Sequence, residues 1–359
     1  MKQRSVFLWN RIGRLNQGLD QLLYAFSAYA LPIFLGLASL LALFALKTQF
    51  PVVNPQALEI RVVKGSVAQM EPVEALAQLR DNPVNPFHDT QLSQAPFWLS
   101  FVVPKDVERS PLMVEFPSRH ATDIACWDAK SLNLLGSGNR QETKGDISVV
   151  KAGFALALDP ALKDGQVLCR TSAIGPARLS ALAWPAAALE TSAQEFHRKS
   201  GLLDGGIIVL AIFVLITALI NRNALYILFS AWLVVNLRMG AHSAGWDSQW
   251  LGNSVPQDWL LGIRPITLAM YYMLTITLFK ALFRDDLTKV GSLALMRVAQ
   301  WTCLPLLLLS AVMPYQSFLP LLWVSTGLST SILVYFLTRI LQKTRSRVAM
   351  WYSASIAIT

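Results

Sequence analysis

The chain has 359 residues, of which 53% are hydrophobic and only 15% are charged. One large water-soluble core is excluded by that balance. The formal net charge is +9, yet residues 51–200 hold 15 Lys/Arg against 16 Asp/Glu, so the positive excess lies outside that block. A surplus placed beside apolar runs is a membrane-topology signal, and it excludes nucleic acid as the partner.

In chain order, residues 1–23 carry Lys2, Arg4, Arg11 and Arg14 against a single acid, Asp20. They precede an apolar run over residues 24–46, which is long enough to cross the roughly 30 Å hydrocarbon layer. The basic flank keeps the start of this run in the cytoplasm. A cleavable signal would have an apolar region of about 7 to 15 residues and an A-x-A-like cleavage site. This run is longer and ends LFALKTQF. That favours an uncleaved anchor, with a cleaved signal as the alternative.

Residues 47–200 then fall on the far side of the membrane, which in a bacterium is the periplasm. The segments 58–63, 97–103, 112–116, 123–129, 149–158, 166–173 and 178–184 are short, rich in β-branched and aromatic residues, and separated by Pro, Gly, Asn or Asp. Such spacing predicts an antiparallel β-sandwich of jelly-roll type. Residues 71–94 read as a short helix and loop on its edge. Cys126 and Cys169 fall in two of the strands and Cys303 in an apolar helix. Either the first two form a disulfide, as an oxidising compartment permits, or each thiol is a small buried hydrophobe.

From residue 201 to 359 the chain is a series of apolar runs, at 205–220, 224–235, 266–283, 293–313 and 318–341, broken by short polar turns. This predicts a polytopic helix bundle. If the first run starts outside, Arg222, Lys280, Arg284, Lys289, Arg339, Lys343, Arg345 and Arg347 all fall on the cytoplasmic side. The outer loops hold Asp247 and Asp258 without Lys or Arg, so the positive-inside rule is met at every turn. Asp204, Arg238 and Arg264 lie near the outer helix ends. Buried charge is costly, which reads as a polar cavity with Asp204 pairing one arginine; snorkelling to the interface is the bland alternative. Gly201 and Gly205 form a G-x-x-x-G that allows close helix approach within the bundle or in a homodimer. After Arg347 only 12 residues follow, fewer than a span needs. We therefore expect the whole protein to continue beyond a sixth, truncated bundle helix.

There is no P-loop, G-x-G-x-x-G, H-E-x-x-H or C-x-x-C. Glu74-Ala75-Leu76 spells the signature of a cyclic-di-GMP phosphodiesterase family, but in the predicted sandwich it has no barrel around it. His88, His120, His197 and His242 lack metal-ligand spacing, so neither a metal nor another cofactor is implied. The candidate ligand-binding residues are Arg119, His120, Trp127 and Trp184, which combine aromatic faces with hydrogen-bond donors as a sugar or small anion requires. The competing reading makes the tryptophans core and Arg119-His120 a solvated turn.

Several runs carry a resemblance: APFWLSFVV, then LMVEFPSRHATDIACWDAKSLNLLGSGN, then LSALAWPAAALETSAQEFHRKSGLLDGG leading straight into a helix bundle. Over residues 96–359 this domain order resembles the bacterial seven-transmembrane receptors with diverse intracellular signalling modules. The matching features are the aromatic opening strand with Phe97 and Trp98, a glycine turn at 136–138, the glycines Gly201, Gly205 and Gly206, and the run NALYILFSAWLVVNLRMGAHSAGWDSQWLGN. The long lead before Tyr24 departs from members that begin with a cleavable signal. The resemblance implies an extracellular jelly-roll domain that binds a periplasmic small molecule or carbohydrate, seven helices, and a cytoplasmic output module. By family habit that module is a diguanylate cyclase, ahead of a cyclic-di-GMP phosphodiesterase or a histidine kinase. A transporter and an accessory subunit of an envelope polysaccharide machine are the readings from other classes.

Overall fold

In the computed structural model, the first 53 residues are described only at Phe34, Leu37, Ala38 and Leu41, which are helical; the description then covers residues 54–358 except 66–69, 104–110, 160–164, 245–254, 291–293 and 345. The basic lead, nearly all of the expected anchor, Asp247 and Arg345 thus lie outside the described residues. Pro55–Thr359 forms one compact unit.

Its first part is built of two antiparallel sheets. One has the order β1 (Gln56–Leu58), β13 (Ala181–Pro185), β5 (Leu112–Phe116), β10 (Gly153–Leu158), β9 (Ile147–Val150). The other runs β2 (Ile60–Lys64), β4 (Phe97–Val102), β11 (Gln166–Ala173), β6 (Ala121–Asp128), β7 (Leu134–Asn139), β8 (Thr143–Gly145). A two-stranded ribbon joins β3 (His88–Asp89) to β12 (Arg178–Leu179). The sheets share one core, to which the first contributes Val114, Phe116, Phe154 and Leu156 and the second Phe97, Leu99, Phe101, Ile124 and Val167.

Strand β4 shows how the sequence directs this. Alternate side chains leave a strand on opposite faces, so Phe97, Leu99 and Phe101 enter the shared core while Trp98 points the other way. There α1 (Pro72–Arg80) covers the second sheet, packing Ala75 and Leu79 on Trp98 and Leu168. Burial on both faces makes β4 a continuous apolar run. Helix α1 therefore covers a face of the sheet, while the loop after it lies on the edge, with Asn85 bridging Ile60 of the edge strand β2. The helix also holds the Glu74-Ala75-Leu76 triplet, with Ala75 fully buried.

Three strand readings are corrected. Residues 58–63 are not one strand: the chain passes from one sheet to the other at Glu59, and both Leu58 and Ile60 face the core. Residues 149–158 are a hairpin, β9 and β10, turning at Lys151 with φ +52. The glycines at 136–138 are not a turn; they lie inside β7. A Cβ on Gly136 would sit 2.7 Å from the Lys144 carbonyl oxygen, so glycine here admits the close approach of β8.

The helices are α2 (Ala186–Asn221), α3 (Ala224–Ala244), α4 (Gln257–Leu282), the short α5 (Arg284–Val290), α6 (Ala294–Trp301), α7 (Cys303–Val312), α8 (Tyr315–Thr344) and α9 (Arg347–Ile358). Among the described residues, five stretches are long and apolar enough to cross a membrane: Ala186–Asn221, Ala224–His242, Trp259–Leu282, Ala294–Val312 and Tyr315–Thr344. Their outward faces are apolar as well, with Phe213, Leu219, Ile220, Val312 and Val324 all exposed. Water would not solvate so continuous an apolar surface. Lipid does, and the chain is a multi-pass membrane protein.

Helix α2 starts well before residue 201, directly after Pro185 at the end of β13. Its first turns pack Ala188 and Leu189 against Trp184, Met113 and Leu182 on the outer face of the first sheet. It then continues unbroken to Asn221, so no loop separates the sheets from the first of these five stretches.

Candidate functional site

The sheets and helices meet at a cavity of about 100 Å³ lined by Arg119, His120, Met239, His242, Arg264, Leu268 and Tyr315. Two turns build its sheet side. In the first, between β5 and β6, the Ala121 amide donates to the Ser118 carbonyl at 3.2 Å, which turns Arg119 and His120 outward. In the second, after β11, Gly175 takes φ +103, a conformation that costs a side chain strain. A Cβ there would also stand 2.9 Å from His120 Nδ1 and 3.1 Å from the Tyr315 ring. The second turn thus lies flush against both the first turn and helix α8.

The helices supply the other wall. Met239 and His242 are three residues apart on α3, and Arg264 and Leu268 four apart on α4, so each pair shares a helix face. Tyr315 opens α8. Further docking contacts surround the cavity. Leu92, held at φ +66, packs on the bundle core, and Gln141 Nε2 donates to the Val255 carbonyl at 2.7 Å.

His120 is held as a neutral ring. Its Nδ1 donates to the Ile174 carbonyl at 3.1 Å, leaving Nε2 to accept from Arg119 Nε at 3.3 Å. Burial first and the charge of Arg119 second push its pKa down to about 4; the hydrogen bond to the Ile174 carbonyl pulls the other way, and Arg264 and Arg140 add lesser downward contributions. The guanidiniums of Arg119 and Arg264 in the cavity lining favour a negative charge there, against the desolvation that burial imposes on an ion of either sign. Among the described residues, its lining carries no carboxylate.

The depressed His120 pKa has a stability consequence. The unfolded imidazole takes up a proton near pH 6.5 and the folded one only near pH 4. Between those values the unfolded chain binds more protons, so stability falls as the pH drops through the interval. We expect a loss on the order of 2 kcal/mol after discounting for partial solvent exposure. Melting of the purified chain from pH 7 to pH 4 should show it, and His120→Gln should flatten the profile; an equal slope in that variant would rule His120 out as the source.

Of the four sandwich residues expected to bind ligand, only Arg119 and His120 come together. Trp127 is next to Cys126, which faces the shared core, so alternation sends Trp127 to the opposite face, where it packs on Trp98 at 5.3 Å between ring centres. Trp184 is buried on the outer face of the first sheet with Lys151 Nζ 4.6 Å from its ring centre. Both tryptophans are packing residues. In the bundle, Arg264 lines the cavity whereas Asp204 and Arg238 do not. Asp204 is buried against α3 at Gly240 and its Oδ2 lacks a hydrogen-bond partner; among the described residues no ion pair joins it to Arg238 or Arg264. Cys126 and Cys169 stand directly opposite each other on β6 and β11, with Cα atoms 4.1 Å apart and sulfurs bonded.

A second polar groove, of about 220 Å³, crosses β6, β7 and β11 with Asp123, Asn139, Glu142, Lys144 and Arg170 in its lining and, among the described residues, no aromatic ring. It offers hydrogen bonds without a stacking face. Sequence reasoning missed Met239, His242, Gly175 and Tyr315. Spacing along α3 was the one available signal, and it gains meaning only when α4 and the sheet turns are set beside it. No protein-family model matches this chain, and no curated protein matches it.

Proposed function

We infer that this chain is the receptor part of a bacterial transmembrane signalling protein, whose sheet domain lies in the periplasm and whose bundle governs a cytoplasmic output module. One observation carries the reading: a cationic cavity at which a sheet turn and the ends of three helices all contribute side chains. A ligand seated there touches both parts at once. It can shift the bundle by binding one packing of that junction better than another. The unbroken α2 supplies a second, stiff connection from sheet to membrane.

The cavity is well below the roughly 300 Å³ at which drug-sized sites begin, which favours a small anion, such as a carboxylate or phosphate group, over a sugar ring. The orientation follows from charge. Lys280, Arg284, Lys289, Arg339, Lys343 and Arg347 gather at the helix ends remote from the sheets, the pattern of a cytoplasmic face. The jelly-roll class of the sandwich, the seventh helix and a diguanylate cyclase output rest on the family resemblance. A cyclic-di-GMP phosphodiesterase, a histidine kinase or a polysaccharide-machine subunit are the alternatives on the same ground.

The test is a melting screen of the purified chain against small carboxylates and inorganic phosphate. At least one should raise the melting temperature in a saturable way, and Arg119→Gln/Arg264→Gln should abolish the rise. A shift that persists in the double variant, or none in the wild type, overturns the anion reading.

A further inference from the structure

We propose that the bundle binds an anionic phospholipid in a groove between α6–α7 and α8, with its acyl chain against the helices and its headgroup on Arg297. The proposal needs only that the bundle lies in a membrane and is independent of the receptor reading.

The groove originates in a broken helix. Pro305 has no amide hydrogen, so it cannot bond the carbonyl four residues back, at Trp301. The span is interrupted at that point, with α6 ending at Trp301 and α7 starting at Cys303. The break opens a groove of about 630 Å³ on the lipid-facing surface, with Val298, Trp301, Leu309 and Leu321 among its walls. Thr302 in its floor is already satisfied from inside. Thr302 Oγ1 is 2.7 Å from the Tyr272 hydroxyl, which is 2.6 Å from Ser329 Oγ. What remains facing outward is apolar, which suits a hydrocarbon chain and not a polar solute.

Length and charge narrow the occupant. From Ala294 to Leu309 the groove follows 15 helical steps, roughly 22 Å at 1.5 Å per residue, more than the roughly 15 Å of one leaflet's hydrocarbon. A single acyl chain can lie along it from headgroup depth inward. At the mouth Arg297 is exposed, and among the described residues it makes no hydrogen bond or ion pair. Three residues further on, Gln300 Oε1 accepts from Lys280 Nζ at 2.8 Å, which holds a second cation at the same level. A cation at headgroup depth beside a chain-shaped groove matches a lipid whose head is negative. A second copy of this chain fits poorly, because it would bring its own Lys280, Arg284, Lys289 and Arg297 to this end.

Native mass spectrometry of the full chain tests this, using dioleoyl phosphatidylglycerol and dioleoyl phosphatidylcholine at equal concentration. The wild type should retain the anionic lipid about fivefold better, the factor expected for one cation at an anionic membrane surface. Arg297→Gln should bring the ratio near one with the fold intact by circular dichroism. Leu321→Trp, which fills the groove, should cut retention of both lipids. An unchanged preference in Arg297→Gln overturns the headgroup assignment. Undiminished retention in Leu321→Trp, or a dimer that this variant dissolves while lipid selectivity is absent, overturns the groove.

Discussion

Replacing Lys151 by Met should destabilise the sheet domain by about 3–5 kcal/mol, the usual result of leaving a buried charge without its partner. Glu115 lies on the outer face of the first sheet with its side chain only 2% exposed, and Lys151 Nζ reaches its carboxylate at 3.1 Å. The same ammonium stands over the Trp184 ring. Met keeps the length of the stem and removes the charge, so the loss reports the stranded Glu115 rather than a cavity. The double variant Glu115→Leu/Lys151→Met should recover most of the stability, because a leucine there joins Met113, Trp184 and Leu189 in an apolar cluster. Melting of the full chain in detergent, followed by near-ultraviolet circular dichroism, distinguishes the two. If the double variant melts as low as the single one, the pair contributes through geometry and not through charge neutralisation.

Removing the Cys126–Cys169 bridge should have the next largest effect. The bond closes a loop of sequence separation 43, for which loss of unfolded-chain entropy predicts about 4 kcal/mol. Both residues are fully buried, so Cys126→Ala/Cys169→Ala introduces no polar group and isolates the crosslink. The wild-type melt should drop on adding reductant, while the double-alanine variant should melt low and ignore it. A wild-type melt that reductant leaves in place would show that the bridge contributes nothing to stability. The compartment enters here too: bonded thiols in protein taken from cells agree with an oxidising exterior, and free thiols speak against a periplasmic sheet domain.

Arg119 and Arg264 show where sequence reasoning reached and where it stopped. Each stands out for its own local reason, one as a donor on a turn of the sandwich and one as a charge near a helix end. Nothing in the 144 intervening positions tells that they line the same cavity. The two tryptophans failed for a related reason. An aromatic residue in a strand looks the same whether its face is open or covered; Trp127 packs beside Trp98, and the first turns of α2 cover Trp184. Depth in the membrane alone pairs Asp204 with an arginine; rotation about the helix axis decides the partner, and it turns the carboxylate toward Gly240.

What the amino-acid order determined by itself is whatever depends on near neighbours: apolar runs long enough to need lipid, the alternation that marks strands as two-faced, and cations gathered beside particular spans. These properties repeat over a few residues and survive without knowledge of the rest of the chain. The tertiary structure alone decided which strand joins which sheet, that β1 and β2 part company at Glu59, that α2 runs unbroken from sheet to membrane, and that Arg119, His120, Arg264 and Tyr315 meet. Those are long-range juxtapositions, set by the packing of faces against each other, and a linear pattern carries the faces but not their partners.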